Sequence, residues 1–217
     1  MRRIIKYFPI HIRFFVCNSF LILTITCIAQ VPTAQKLDKN MSLQETDADG
    51  IVWFDPSEEP FGLVGFEWIE KDGVYRRLPV EPDWEIREAV DDLANHTAGG
   101  QIRFRTDSKR ILIRVELRER SGMYHMPATG QSGFDLYLMD SGIQRYLKTT
   151  RIPHDTLQYQ DELFTDNQKQ LRSFTLNFPL YNGVNAVQIG IEAGSVLEEP
   201  LPFKLNGKIV IYGTSIT

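Results

Sequence analysis

From residue 51 onward one signal dominates the chain: apolar side chains recur at every second position, in short runs separated by polar turns. Ile102 and Phe104 alternate with Gln101, Arg103 and Arg105. Ile111, Ile113, Val115 and Leu117 share one face of the next run, with Arg114, Glu116 and Arg118 on the other. The same pattern returns in Phe134, Leu136 and Leu138, in Phe174, Leu176 and Phe178, and in Val187, Ile189 and Ile191. Successive side chains of an extended strand point to opposite faces, so each run reads as a strand with one buried and one wet face. Six or more such strands joined by polar turns are most economically packed as a β-sandwich, and the expected fold class is mainly β. Asp107-Ser108-Lys109 reads as a hairpin turn.

One segment departs from the two-residue period. Glu85 to Asn95 sets Ile86, Val90, Leu93 and Ala94 at helical spacing, with Asp83 as N-cap and Gly99-Gly100 ending the excursion. A short helix packed on the sandwich is expected there, its acids Glu85, Glu88, Asp91 and Asp92 forming a solvated face. Phe66 and Trp68 alternate with Glu67, which aims both rings at the core. If exposed together, Trp53, Trp68 and Trp84 could instead stack on sugar rings.

Residues 1–29 resemble a secretory signal. Arg2, Arg3, Lys6 and Arg13 form a basic lead, Phe14 to Ile28 is mostly apolar, and Cys27-Ile28-Ala29 is a small-x-Ala cleavage pattern before Gln30. Asn18 and Ser19 interrupt an apolar run already shorter than the ~20 residues of a membrane span, so stable membrane insertion after cleavage is not expected. Thr24 and Thr26 fit a lipoprotein reading of Cys27 poorly. Both cysteines, Cys17 and Cys27, lie inside this leader, which leaves the mature chain without disulfide or thiol chemistry. Cleavage removes four of the 24 bases and none of the 28 acids, for a net charge of −8. That balance argues against nucleic acid and anionic membrane as partners and fits a bacterial periplasm, cell surface or extracellular space. Residues 30–50 are polar and aperiodic, a flexible lead-in.

Candidate chemistry is sparse. His96, His125 and His154 lie in separate segments, none at metal-ligand spacing with another His, Cys or carboxylate, and no metal or other cofactor is expected. Phosphate-binding and dinucleotide motifs are absent. Tyr124 and His125 lie in the loop Ser121 to Gly130, whose side chains suit contact with a substrate; the alternative is that its Met and Tyr residues fold back to cap a core. At the far end, Ile209 to Tyr212 is apolar at every position, as a strand covered on both faces is, and runs into Gly213-Thr214-Ser215. A serine at the carboxyl end of such a strand, opening the next helix, suits a nucleophile, although Gly-Thr-Ser also serves as an ordinary turn and helix cap.

The order of several motifs adds a resemblance. Gly133-Phe134-Asp135-Leu136-Tyr137 is a Gly-x-Asp-Leu-Tyr signature; Gly65-Phe66-Glu67-Trp68, Tyr75-Arg76-Arg77-Leu78-Pro79 and Gly99 to Arg105 surround it. Together they resemble the N-terminal domain of bacterial SGNH-type (GDSL-like) hydrolases, and the terminal Tyr212-Gly213-Thr214-Ser215-Ile216-Thr217 resembles the first catalytic block of the hydrolase that follows it. The resemblance covers about Val52 to Thr217. It implies a jelly-roll-like sandwich over residues 51–197, a linker over 198–206, and the first strand of a truncated α/β hydrolase domain over 207–217. It implies an esterase or acylhydrolase acting on a small-molecule or glycan ester, with Ser215 as nucleophile and its backbone N–H as an oxyanion donor. Thr214 stands where the commoner triplet has Asp. The Gly, Asn and Asp-x-x-His blocks that supply the other donors and the base do not occur in this chain, so residues 30–217 alone are expected to be inactive and to need the missing C-terminal domain as partner. The contrasting expectation is a stand-alone carbohydrate-binding or interaction module.

Overall fold

A computed structural model describes residues 46–153, 155–205 and 207. The alternating runs fold as strands, and the chain order is β1 (Ile51–Phe54), β2 (Gly62–Val64), α1 (Ile69–Asp72), α2 (Glu88–Leu93), β3 (Gln101–Thr106), β4 (Arg110–Leu117) and α3 (Ala128–Ser132). There follow β5 (Asp135–Asp140), β6 (Ile143–Thr149), β7 (Gln158–Thr165), β8 (Arg172–Asn177), β9 (Val184–Glu192) and β10 (Leu197–Glu198). Two antiparallel sheets result. The first has the order β1-β9-β4-β7; the second has β10-β3-β8-β5-β6, with β2 also paired to β3. Leaving aside the short β2 and β10, eight strands form two four-stranded sheets between which the chain passes repeatedly. This is the strand order of a jelly roll, and the expected β-sandwich is the fold observed.

The buried faces meet between the sheets. Ile102 and Phe104 of β3, Leu136 of β5 and Phe174 and Leu176 of β8 pack against Ile111, Ile113 and Val115 of β4 and Val187, Ile189 and Ile191 of β9, each at most 4% exposed. Ring contacts join Phe104 to Phe174 at 5.7 Å and Phe174 to Phe164 at 5.2 Å. Burying each such side chain stabilises the fold by about 1.5–3 kcal/mol. Register follows the same pattern, with Ile102, Leu176 and Leu136 in one cross-strand row and Phe104, Phe174 and Leu138 in the next. A one-residue slip would turn both rows to solvent.

Several local expectations are corrected. Asp107-Ser108-Lys109 is not a hairpin turn, because β3 and β4 lie in different sheets and the chain crosses the core edge there. Ser108, fully buried, makes the corner possible: its hydroxyl donates to the Arg110 carbonyl at 2.6 Å and accepts from the Glu192 N–H at 3.0 Å. The helix is also shorter than its periodicity predicts, running from Glu88 to Leu93 with no side-chain cap. Asp83 lies outside it, and Leu93 is half exposed while Ala94 is buried. Its acids are not all merely solvated. Asp91 pairs with the guanidinium of Arg76, which is only 8% exposed and also donates to Asn95 Oδ1 at 3.0 Å and the Leu78 carbonyl at 3.1 Å.

The tryptophans do not share the core. Gly65, at φ 92°, turns the chain out of β2, so Phe66 enters the core while Trp68 opens α1 and stays partly exposed. Trp84 is 52% exposed. Trp53 lies on the outward face of the first sheet over Gly190, where an added Cβ would stand 2.9 Å from the indole ring.

Candidate functional site

Cross-strand rows define the two ends of the sandwich. Gln101, Asn177 and Asp135 are neighbours on β3, β8 and β5, so residues 94–100, 118–134 and 178–183 gather at one end. Backbone bonds join them: Thr97 N–H to the Asn182 carbonyl, Arg118 N–H to Gly183, and Tyr181 N–H to Gln131. The loop carrying Tyr124 and His125 belongs to this end.

Its root is rigid for a specific reason. Asn182, 2% exposed, donates from Nδ2 to the Glu119 carbonyl at 2.8 Å and to Ser132 Oγ at 2.9 Å, while Oδ1 accepts from the Glu119 N–H at 3.3 Å and the Gly183 N–H at 2.8 Å. Ser121 Oγ donates to Ser132 Oγ at 2.7 Å, and Gln131 Oε1 accepts from the N–H groups of Gly122 and Met123 at 3.0 and 3.1 Å. A polar cluster this buried specifies one arrangement, because any unmade bond carries the desolvation cost. Tyr124, at the tip, is completely exposed and sits edge-on to His125 at 5.0 Å. It does not fold back over the core, so a rigid base presents an aromatic ring and an imidazole to solvent. Asn182→Leu keeps the volume but strands Ser132 and the Glu119 backbone. We expect it to cost about 3 kcal/mol and to speed hydrogen exchange at residues 119–132; thermal melting and exchange mass spectrometry check both.

His96, partly buried at the same end, has its pKa lowered by burial first and by the Arg77 cation next, against the raising effect of Asp92 and Glu119. A folded-state value below the ordinary 6.5 means the unfolded chain binds more protons. The stabilising contribution is therefore complete above the ordinary 6.5 and is lost as pH falls through the lower folded-state value. Replacing His96 by Gln is expected to flatten the decline in melting temperature between about pH 7 and pH 5; an unchanged slope would contradict it.

The Gly-x-Asp-Leu-Tyr segment roots this end from the other sheet. An added Cβ on Gly133 would meet the Thr129 carbonyl oxygen at 2.2 Å and Thr149 Cγ2 at 2.6 Å, so only glycine lets α3 turn into β5 here. Phe134 and Leu136 are fully buried. Asp135 accepts from Thr149 Oγ1 across the strand pair at 2.5 Å, and Tyr137 meets Tyr146 edge-on at 5.7 Å. The signature thus builds the fold.

The chain leaves the sandwich toward this same end. Leu197 and Glu198 of β10 pair with Thr106 and Arg105, after which Arg103 donates to the Leu201 carbonyl at 2.8 Å and lies 3.8 Å over the Phe203 ring. The path runs against β3 from its last residue toward its first. Ser215, His154 and the leader, including Cys27, lie outside the described residues. Among the described residues, no group of three His, Cys, Asp or Glu side chains could hold a metal ion, and no helix is long and apolar enough to cross a membrane.

Comparison with known proteins agrees with this geometry. Five solved chains match. One is described as a GDSL-like lipase from Bacteroides ovatus ATCC 8483, with a TM-score of 0.64 and 21% identity over 71% of this chain and 44% of that one. Another is the salicylyl-acyltransferase of a tetracycline biosynthetic pathway, with a TM-score of 0.56 and 18% identity over 72% of this chain and 44% of that one. The chain thus spans less than half the length of these two structures. No curated protein matches it in sequence. A family model described as GxDLY, the N-terminus of SGNH-hydrolase-type esterases, matches residues 51–197, and the chain belongs to that family.

Proposed function

We propose that this chain is the N-terminal sandwich of an exported SGNH-type ester hydrolase, in which Ser215 is the nucleophile and the Tyr124–His125 loop walls one side of the substrate cleft. The observation that carries this reading is the path of residues 197–203, which lead the chain along β3 toward the end where that loop stands. Family membership supports the reaction class, and a lipase description and an acyltransferase among the structural neighbours both concern acyl groups.

The chemistry is acyl transfer. Ser215 Oγ attacks the ester carbonyl as a general base takes its proton, and the carbonyl oxygen becomes an oxyanion to which the Ser215 N–H donates. Collapse expels the alcohol with that proton and leaves an acyl-serine, which water then hydrolyses by the same sequence. The base and the other oxyanion donors belong to the hydrolase domain that this family carries after the sandwich. Export rests on the basic and apolar leader of residues 1–29 and on the acidic, cysteine-free remainder. A small-molecule or glycan ester is the substrate in this reading.

Fluorophosphonate labelling tests it. Protein carried past Thr217 through the hydrolase blocks is expected to label at Ser215, located by peptide mass spectrometry. Labelling at another serine would overturn the assignment, as would equal labelling of residues 30–217 alone.

A further inference from the structure

On the half of the first sheet nearer the loop end, its outward face holds an open groove of about 370 Å³ crossing β9, β4 and β7. That volume lies at the lower end of the ~300–1,000 Å³ typical of small-ligand sites. Two cross-strand rows line it, Gln188, Arg114 and Gln160 in one and Ala186, Glu116 and Gln158 in the other. Ala186 leaves the second row open at one side.

The charged groups in the groove are held in place. Arg114 donates from Nε to Gln160 Oε1 at 2.8 Å, stacks 3.7 Å from the centre of the Trp53 ring and has Nη2 3.5 Å from Asp47 Oδ2. Trp53 is itself fixed by its Nε1–H, which donates to Asp47 Oδ2 at 2.8 Å, and it fits closely on the sheet because residue 190 is glycine. Glu116 accepts from Gln158 Nε2 at 3.1 Å and lies 3.5 Å from Asn185 Nδ2. A surface arginine ordinarily loses much side-chain entropy on binding; here an indole, an amide and a carboxylate have already ordered it.

We propose that this groove binds a neutral saccharide. One cation and one anion share it, and Asp47 further offsets the cation, so neither a uronate nor a polyamine is matched. The three glutamine amides each offer a donor and an acceptor, as sugar hydroxyls do in return. Gln158 and Gln160 on β7 and Gln188 on β9 stand on opposite sides of β4, two strand spacings or about 9.6 Å apart, so they reach hydroxyls on opposite sides of a bound sugar. The proposal stands independently of the esterase reading, because no group in it belongs to the acyl-transfer chemistry.

Affinity electrophoresis of the full chain tests it, in native gels containing xylan, galactomannan or mixed-linkage β-glucan, with polygalacturonate in parallel and a neutral-oligosaccharide array alongside. Retardation or array binding by a neutral glycan is expected, weakened at least tenfold by the double variant Gln160→Ala, Gln188→Ala and retained by Trp84→Ala, each with a wild-type melting profile. Failure to bind any neutral glycan would overturn the proposal. So would binding confined to polygalacturonate, or binding that the double variant leaves intact and Trp84→Ala removes.

Discussion

Ser215→Ala, made in protein carried through the hydrolase domain, is expected to reduce hydrolysis of p-nitrophenyl acetate by roughly 10⁴- to 10⁶-fold, the range found when a triad member is removed from a complete serine hydrolase. The loss should fall on kcat. In the proposed mechanism the hydroxyl contributes little to binding the ester but supplies the electron pair that forms the acyl bond, and without it only water would remain to attack. The substitution retains the backbone N–H at position 215, the proposed oxyanion donor, so residual activity above the uncatalysed rate is expected. Stopped-flow and steady-state assays of the two proteins decide the matter: activity within tenfold of wild type would show that another residue attacks.

Phe134→Ala should be the most damaging single change among the core positions of the signature. Phe134 is fully buried, lies 4.9 Å from Phe178, and its backbone is tied on both sides to Thr150, through the Thr150 hydroxyl and the Thr150 N–H, each at 2.9 Å. Its neighbours are locked by those bonds and cannot collapse into the space, which places the expected cost at about 3–5 kcal/mol. For a domain of this size that lowers the melting temperature by roughly 10 °C. Urea unfolding followed by circular dichroism gives the free energy directly; a loss under about 1 kcal/mol would mean that the ring does not fill the core. Phe134→Leu, which keeps most of the volume, should recover the larger part of the loss.

The buried faces were legible because they obey a local rule. Ile111, Ile113, Val115 and Leu117 alternate within one strand, and alternation alone assigns them inward. Strands with weaker alternation were not legible in this way: β6 is exposed along most of its length, and its pairing with β5 comes from the sheet, not from its own composition. Asp107 to Lys109 misled for the same reason, since a polar triplet between two strands is equally compatible with a hairpin and with a crossing between sheets. Arg76 gave no local signal of burial; its partners Asp91 and Asn95 lie fifteen and nineteen residues away.

By itself the sequence determined the class of the fold, the inward face of its central strands and, through the order of its motifs, the family. Tertiary structure decided the strand order, the end of the sandwich at which the Tyr124–His125 loop stands and toward which residues 197–203 run, and the row in which Gln188, Arg114 and Gln160 stand side by side. The division has one physical cause. Side-chain alternation is a property of a single strand, whereas neighbours across a sheet are chosen by which buried faces fit together, and those choices join residues as far apart along the chain as Ile111 and Ile191.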